Sequence, residues 1–342
     1  MSDIVRILIV DDSAYVRKVV RQMLSRSPFL EIVGAARDGR EALEMAAELQ
    51  PDVITCDLIM PELDGVGFIK AQMAKRPVPI VVVSVASESG ELVLAALDAG
   101  AVDFVQKPTA LATDRVLEIA DELIEKVKGA AAARPAIQRD MRPPAIAPAV
   151  KTSSADIVVI GISTGGPQAL KRLIPRLPAE LGVPIAIVLH MPVGYTELYA
   201  RKLNEQSPLT VFESQGGEVV SRGHVYLAPA GRHLTLRRLP GGDVVTHLDV
   251  RPLDSLYRPS VDSLFQSAAD AYGSRVLGIV MTGMGSDGRE GAAWIKAKGG
   301  TVLTESETSC VVYGMPRSVV EAGLSDGEFL LDDIADALMA RI

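Results

Sequence analysis

The chain has 342 residues, a length that favours two domains over one. Its net charge of -8 disfavours unaided nucleic-acid binding, which needs a basic face to displace counterions. With 48% hydrophobic and 23% charged residues, the composition is that of a globular protein and not of a disordered one. Two cysteines, Cys56 and Cys310, are too few for a disulfide framework or a cysteine zinc site.

The hydrophobic runs of the chain are short. The N-terminal sequence reaches Asp11 and Asp12 after one such run, so we expect no signal peptide. No apolar run approaches the roughly 18 residues that a membrane span requires. These patterns predict a cytoplasmic protein that does not insert into a membrane.

One segment, residues 129–155, differs in composition from its surroundings. About half of it is alanine and proline, and it has no aromatic residue. Its prolines remove backbone donors and prevent a long helix, so it cannot bury much apolar surface. We interpret it as a linker between a domain at 1–128 and a second domain at 156–342.

Strand-length apolar runs alternate with amphipathic stretches in the first domain, which predicts a parallel sheet with helices on both faces. The expected strands are 7–10, 53–55, 80–83 and 104–106, and the expected helices are 14–25, 39–49, 64–75, 90–99 and 111–127.

The second domain continues the alternation and predicts another doubly wound, mostly parallel α/β sheet. Its expected buried strands are 157–161, 185–189 and 276–281. The stretch 219–250 differs, because short strands there are separated by brief glycine-containing turns, which predicts an insertion of antiparallel hairpins. Residues 331–342 predict a closing amphipathic helix.

Ligands of open parallel sheets bind beyond the carboxyl ends of the strands, so polar residues that follow an apolar run are informative. In the first domain these are Asp11, Asp12, Asp57, Ser84 and Lys107. Three converging carboxylates suit Mg²⁺, which prefers oxygen ligands and a phosphate partner. The carboxylate of Asp57 is placed to accept a phosphoryl group, which the lysine ammonium and the serine hydroxyl would contact.

A lone Asp–Asp pair is usually a turn or a helix cap, but five residues of these types at four strand ends resemble the response-regulator receiver domain. The resemblance covers residues 4–126 and implies a flavodoxin-like fold. It also implies Mg²⁺ at Asp11, Asp12 and Asp57, and phosphorylation of Asp57 by a histidine kinase. Phe104 then has the role of an aromatic that changes rotamer on phosphorylation; the alternative is a core phenylalanine.

The same rule selects Ser163, His190 and Asp287 in the second domain. A serine hydroxyl is barely ionised at neutral pH, so its attack needs an imidazole that removes the proton. A carboxylate orients that imidazole and stabilises the imidazolium that forms. The three residues therefore predict a serine hydrolase without a cofactor for the ester chemistry.

Ser163 lies in GISTGGP, which has G-x-S-x-G spacing between a strand and a helix. Glycines there permit a sharp turn and leave N–H groups at a helix N-terminus to bind a developing oxyanion. We expect these donors at Gly165 and at Thr164, which offers either its N–H or its hydroxyl, with a further donor at the N–H of Met284.

Other interpretations of these residues remain open. A glycine-rich turn also binds nucleotides, although this one lacks the G-x-G-x-x-G register and a GK[ST] lysine. His190 is alternatively a core histidine, and Asp287 a helix cap. The order serine, histidine, aspartate disfavours an α/β-hydrolase, in which the acid precedes the histidine. Cys310 has no basic neighbour and is interpreted as inert.

The segments ISTGGP, LHMP, YLAPAGRH and MTGMGSDG resemble the CheB family of chemotaxis protein-glutamate methylesterases. The resemblance implies hydrolysis of glutamate γ-methyl esters on the cytoplasmic helices of methyl-accepting chemoreceptors, with release of methanol. Some family members also deamidate receptor glutamines. The resemblance further implies that a chemotaxis histidine kinase is the phosphodonor and that the unphosphorylated receiver inhibits the esterase.

Two rival functions remain. A phosphorylation-controlled transcriptional regulator would need a basic helix-turn-helix motif, whereas residues 156–342 predict strands and glycine-rich turns. A receiver-controlled serine hydrolase acting on another ester or amide has the same site residues, and only its substrate distinguishes it.

Overall fold

The computed structural model describes residues 4–84, 90–107, 113–132, 154–252 and 255–342. The chain forms two compact units, residues 1–138 and 139–342. The last helix of the first unit continues to Ala132, so the first residues of the predicted linker are helical. Residues 133–153 lie outside the described residues. They make up the rest of the predicted linker apart from its last two positions. Among the described residues, no helix is both long and apolar enough to cross a bilayer.

The first unit contains a five-stranded parallel sheet in the order β2-β1-β3-β4-β5, which confirms the expected flavodoxin-like fold. Apolar strand residues fill the core between the sheet and its helices. The elements are β1 (Val5–Val10), α1 (Ala14–Leu24), β2 (Leu30–Ala36), α2 (Gly39–Leu49), β3 (Val53–Cys56), α3 (Gly65–Lys75), β4 (Ile80–Ser84), α4 (Gly90–Asp98), β5 (Asp103–Gln106) and α5 (Thr113–Ala132).

The second unit contains a seven-stranded parallel sheet in the order β14-β13-β12-β6-β7-β9-β8, with a separate two-stranded antiparallel hairpin, β10-β11. Its strands are β6 (Ile157–Ile162), β7 (Ile185–Leu189), β8 (Thr210–Glu213), β9 (His224–Leu227), β10 (His233–Arg238), β11 (Val244–Asp249), β12 (Val276–Val280), β13 (Thr301–Glu305) and β14 (Glu328–Phe329). Its helices are α6 (Gly166–Leu173), α7 (Thr196–Glu205), α8 (Val261–Tyr272), α9 (Arg289–Ala297), α10 (Met315–Glu321) and α11 (Ile334–Met339), with 3-10 turns at Ile174–Arg176, Gly273–Arg275 and Leu331–Asp333.

The prediction of hairpins across 219–250 is correct for β10 and β11 and wrong for the strand before them. β9 pairs in parallel with β7 and with β8, so it belongs to the main sheet. Val225, Tyr226 and Leu227 are buried in succession, as expected for a strand covered on both faces. The short glycine-containing turn at 230–232 therefore joins two sheets instead of closing a hairpin.

In each parallel sheet the direction of strand order reverses between two central strands. In the first unit it reverses between β1 and β3, and in the second between β6 and β12. A crevice opens at such a switch point beyond the carboxyl ends of the strands. Asp11 and Asp57 follow the first pair of strands, whereas Ser163 and the segment containing Asp287 follow the second.

Candidate active site

Ser163 begins the turn that joins β6 to α6. Its N–H donates to the carbonyl of Thr282 at 2.9 Å, and its own carbonyl accepts from Gly166 N–H at 2.7 Å. Gly165 has a φ of +79°, and a Cβ there would lie 2.6 Å from Val311. Only glycine satisfies both the left-handed backbone and the close approach of that side chain.

His190 follows β7 as Ser163 follows β6. The last residues of these strands, Ile162 and Leu189, are paired in the sheet. The N–H of His190 donates to the Ile162 carbonyl at 3.1 Å. The sheet therefore brings the serine and the histidine to neighbouring positions at one edge, although 27 positions separate them in the sequence.

The imidazole of His190 is bonded to Asp287. Nε2 lies 2.9 Å from Oδ2 of the carboxylate, and both side chains are largely buried. In a neutral imidazole, a carboxylate at Nε2 favours the tautomer with the proton on that nitrogen, in which Nδ1 is an acceptor. Nδ1 is buried and has no hydrogen-bond partner among the described residues, Ser163 included. The ring is reversed relative to that of chymotrypsin, where the carboxylate binds Nδ1.

Asp287 accepts three further hydrogen bonds from the N-terminus of α8. Oδ2 accepts from Val261 N–H at 2.8 Å. Oδ1 accepts from Asp262 N–H and from the Ser260 hydroxyl, both at 3.0 Å. The side chain is therefore held by donors on both oxygens, and its orientation does not depend on the histidine alone. The alternative that Asp287 caps the helix beginning near Gly288 is wrong, because the carboxylate binds the first N–H groups of α8 and not those of α9, the helix that follows it in the chain.

The Asp287 carboxyl has a lowered pKa although it is buried. Burial would raise its pKa, but the hydrogen bond and charge of His190 and the N–H donors of α8 outweigh that effect. The pKa of the neighbouring Asp262 is shifted in the opposite direction. Burial, together with the negative charge of Asp287, raises the pKa of the Asp262 carboxyl to about 6.

Three other residues of the site were absent from the sequence-based prediction. The ring of Tyr257 stacks on the His190 imidazole with centroids 4.4 Å apart and planes 8° from parallel. Ser260 caps α8 through its hydroxyl, and His233 Nδ1 accepts from Ser260 N–H at 3.2 Å. His233 is the first residue of β10, in the predicted hairpin region. The S-V-D start of α8 signals a helix cap in the sequence, but nothing there indicates its contact with Asp287.

The predicted oxyanion donors lie around Ser163. Within the described residues, the backbone N–H groups of Thr164, Gly165 and Met284 donate to no other group. A Cβ on Gly283, the residue before Met284, would lie 2.8 Å from the Cβ of Ser163. The two glycine-rich turns therefore approach each other closely.

The acidic residues of the first unit also converge. One carboxylate oxygen from each of Asp11, Asp12 and Asp57 lies within 4.8 Å of the others. Lys107 Nζ contacts Asp11 at 2.7 Å and Asp57 at 2.9 Å. Burial raises the pKa of Asp11 against the opposing effect of Lys107, whereas burial lowers the pKa of Lys107 less than the two carboxylates raise it. Hard oxygen donors in this arrangement suit a divalent cation.

Ser84, Phe104 and the cysteines complete the predicted set. Ser84 is buried at the end of β4, and its carbonyl accepts from Lys107 N–H at 2.7 Å. Phe104 is 2% exposed, so its ring belongs to the core in this structure. Both cysteines are buried, and burial raises the pKa of Cys56 well above its usual range, which disfavours a reactive thiolate.

Comparison with known proteins decides the family. Residues 158–338 match the family model of the CheB methylesterase, and residues 7–120 match that of the response regulator receiver domain. The chain belongs to the CheB methylesterase family. It is 52% identical over 341 residues to "Protein-glutamate methylesterase/protein-glutamine glutaminase 5" of Myxococcus xanthus, covering 98% of this chain and 97% of that protein.

Another relative matches this CheB family member over nearly its whole length, and a solved structure matches little more than half of it. A Symbiobacterium thermophilum protein named protein-glutamate methylesterase/protein-glutamine glutaminase is 41% identical, over 99% of this chain and 97% of its own length. The crystal structure of the Thermotoga maritima CheB methylesterase catalytic domain is 43% identical, with a TM-score of 0.54, and covers 56% of this chain and 100% of that one.

Proposed function

We propose that this chain hydrolyses glutamate γ-methyl esters on the cytoplasmic helices of methyl-accepting chemoreceptors and releases methanol. The observation that carries the proposal is the 2.9 Å pairing of His190 with Asp287 beside Ser163 at the switch point of the sheet. It is supported by relatives named protein-glutamate methylesterase/protein-glutamine glutaminase.

In this proposal Ser163 is the nucleophile, His190 is the general base through Nδ1, and Asp287 holds the ring. The serine hydroxyl attacks the ester carbonyl carbon while its proton moves to Nδ1. The tetrahedral intermediate then expels methanol, which takes that proton, and leaves glutamate bound to the enzyme as an ester of Ser163. Water attacks that ester with the same base, which frees the carboxylate and restores the hydroxyl.

The negative oxygen of each tetrahedral intermediate is bound by backbone donors. We assign this role to the N–H groups of Thr164 and Gly165 on one side and of Met284 on the other, because they surround Ser163 without other partners. Fixed dipoles of this kind stabilise charge as it develops and need no reorganisation during the reaction.

A second reaction, deamidation of receptor glutamines, uses the same groups. An unprotonated amide nitrogen is a poorer leaving group than the methoxy oxygen of the ester, so the imidazolium must protonate the nitrogen, which then leaves as ammonia. The glutaminase part of the relatives' names favours this activity.

We propose that the first unit controls the second by phosphorylation at Asp57, with a chemotaxis histidine kinase as donor. Asp11, Asp12 and Asp57 would hold Mg²⁺, which neutralises the carboxylates and the incoming phosphoryl group when bound. Lys107 would then pair with a phosphate oxygen in place of a carboxylate. A new dianionic group must favour one of two domain arrangements, and in the unphosphorylated one the receiver inhibits the esterase.

The decisive experiment measures methanol release from methylated receptor by wild type, Ser163→Ala and Ser286→Ala. Ser286 is an exposed serine in the neighbouring turn, so its variant controls for loss of a surface hydroxyl. We expect Ser163→Ala to lose several orders of magnitude in rate and Ser286→Ala to retain most activity. Undiminished release by Ser163→Ala would refute the assignment.

Substrate and regulation are tested separately. Faster turnover of a generic ester than of methylated receptor would favour the alternative, a serine hydrolase of another substrate. A chain that starts after residue 150 should exceed the unphosphorylated full chain in rate, and a small phosphodonor should activate wild type but not Asp57→Asn. Equal rates for the short and full chains would argue against inhibition by the receiver.

A further inference from the structure

Thr282 is the second residue after β12 and contacts the Ser163 turn at two positions. Its side chain is 1% exposed. Its carbonyl accepts from Ser163 N–H at 2.9 Å, and its hydroxyl donates to the carbonyl of Thr164 at 2.9 Å. The same hydroxyl oxygen accepts from Val312 N–H at 3.0 Å. One buried threonine thus ties the turn of the proposed nucleophile to its own segment and to the segment that contains Val312.

Glu305 in turn fixes Thr282. It ends β13, the strand beside β12, and is fully buried. Its Oε2 accepts from Thr282 N–H at 2.9 Å, and its Oε1 accepts from the Ser309 hydroxyl at 2.9 Å. A buried carboxylate that lost either donor would be strongly destabilised, so these bonds hold the Thr282 backbone in one position.

The bond to the Thr164 carbonyl determines where the next N–H points. Because a trans peptide is planar, the Thr164 carbonyl and the Gly165 N–H point in opposite directions from one rigid group. Anchoring that carbonyl on Thr282 therefore aims the Gly165 N–H away from Thr282. Met284 N–H is aimed in the same way, since the Gly283 carbonyl accepts from Gly314 and Met315.

We propose that Thr282 and Glu305 are positioning residues of the ester hydrolysis. Thr282 orients the Gly165 N–H toward the developing oxyanion, and Glu305 holds Thr282 in place. This inference rests on the proposed function, because it deepens the role of the Ser163 turn. Neither residue touches the reacting atoms.

The test compares Thr282→Val with Thr282→Ser and Thr304→Val in the full chain. Valine has the shape of threonine without the hydroxyl, so the Thr164 carbonyl loses its anchor. We expect kcat for methanol release to fall about a hundredfold with little change in KM, the effect of losing one oxyanion donor. The serine variant keeps the hydroxyl and should remain within a few-fold of wild type.

Thr304→Val is the matched control. Thr304 is equally buried on the adjacent strand, and its hydroxyl bonds to that of Ser325 at 2.8 Å, away from the Ser163 turn. It should keep the wild-type kcat per folded molecule although it too loses a buried hydrogen bond. Glu305 is examined with Glu305→Gln, which retains an acceptor for Thr282 and should be active, and with Glu305→Leu, which should behave like Thr282→Val.

Covalent labelling of the serine provides a second measurement. It distinguishes a loss of positioning from misfolding, and it does not depend on which substrate the enzyme uses. Organophosphonates label an activated serine, and their reaction needs the same oxyanion donors. The final extent of labelling therefore measures the fraction of folded sites, and the rate of labelling measures how well the donors stabilise the negative oxygen. We expect Thr282→Val to label to the same extent as wild type but about a hundredfold more slowly, with an unchanged pH dependence.

Equal labelling rates in Thr282→Val and Thr304→Val would overturn the positioning role even if wild type demethylates receptor. If wild type released no methanol, the proposed substrate would fail while the labelling rates would still decide the roles of Thr282 and Glu305.

Discussion

Asp262 and Asp287 exchange helix caps: each carboxylate accepts hydrogen bonds from the N-terminus of the helix to which the other aspartate belongs or which it precedes. Asp287 precedes α9 and binds the first N–H groups of α8, whereas Asp262, in the first turn of α8, accepts from Gly288 at 2.9 Å and from Gly291 at 2.7 Å at the start of α9. Each carboxylate therefore lies at the positive end of a helix dipole. This exchange joins the two helices and fixes the carboxylate that holds His190.

The close approach of these two acids makes stability depend on pH. The folded state raises the pKa of Asp262 from 3.8 to about 6. As pH rises through this interval, the unfolded chain ionises freely while the folded chain retains its proton, so the free energy of unfolding falls. Asp262→Asn keeps one carbonyl oxygen for both N–H donors and removes the charge. Its stability relative to wild type should therefore increase as pH rises from about 4 to about 6.5.

The fluorescence of Trp294 allows the unfolding of the second unit to be followed by itself. This residue is the only tryptophan of the chain and lies in α9, the helix that Asp262 caps. Urea unfolding followed by its fluorescence reports on the second unit alone. A constant difference between Asp262→Asn and wild type across this pH range would contradict the raised pKa. Asp270→Asn, which changes an exposed acid of α8, provides the control.

Substitution of Gly283 should displace the proposed nucleophile. An alanine Cβ would lie 2.8 Å from the Cβ of Ser163 and 2.4 Å from Met315 Sδ. The methionine end can move, but the serine backbone is held by Thr282, so the hydroxyl shifts. We expect Gly283→Ala to lower kcat at least about a hundredfold. Gly182→Ala has open space around its new methyl group and should retain full activity; comparable losses in both would refute this account.

Tyr257 should support catalysis through its ring and not through its hydroxyl. It stacks on the imidazole that becomes positively charged in the proposed mechanism, and an aromatic face stabilises a cation by roughly 0.5–2 kcal/mol. We expect Tyr257→Leu to lower kcat/KM between about twofold and thirtyfold, and Tyr257→Phe to change it little. If phenylalanine were as damaging as leucine, the hydroxyl and its contacts would be the important part.

Removal of Lys107 should make the first unit more dependent on divalent cations. Its ammonium separates Asp11 from Asp57, so Lys107→Met leaves the carboxylates repelling each other. Added Mg²⁺ should raise the thermal midpoint of this variant by more than that of wild type, because it binds the folded state more tightly than the unfolded one. Lys126→Met also loses a buried lysine, paired with Asp103, and should show only the wild-type response. Equal responses in all three proteins would argue against a cation at this cluster.

The positions of four strands of the first unit, and of the central strands of the second, could be predicted from sequence because their apolar runs are short, β-branched and regularly spaced. The order of the strands in the first unit came only from the resemblance to the receiver domain. β2 is absent from the predicted strands because it is an edge strand. Its polar and apolar residues alternate only weakly, and they include Glu31 and Gly34. β9 was assigned to the hairpin because a buried four-residue run has no periodicity that distinguishes parallel from antiparallel pairing.

The sequence by itself determined which side chains follow the strands, and with them Ser163, His190, Asp287 and the acidic cluster of the first unit, because the position of a residue after an apolar run is a local property. Only the tertiary structure decided which atoms meet. The pairing of Asp287 with His190 Nε2, the cap it forms on α8, and the bonds from Thr282 and Glu305 join segments up to 118 positions apart. Such contacts depend on strand order and backbone direction, which no local pattern encodes.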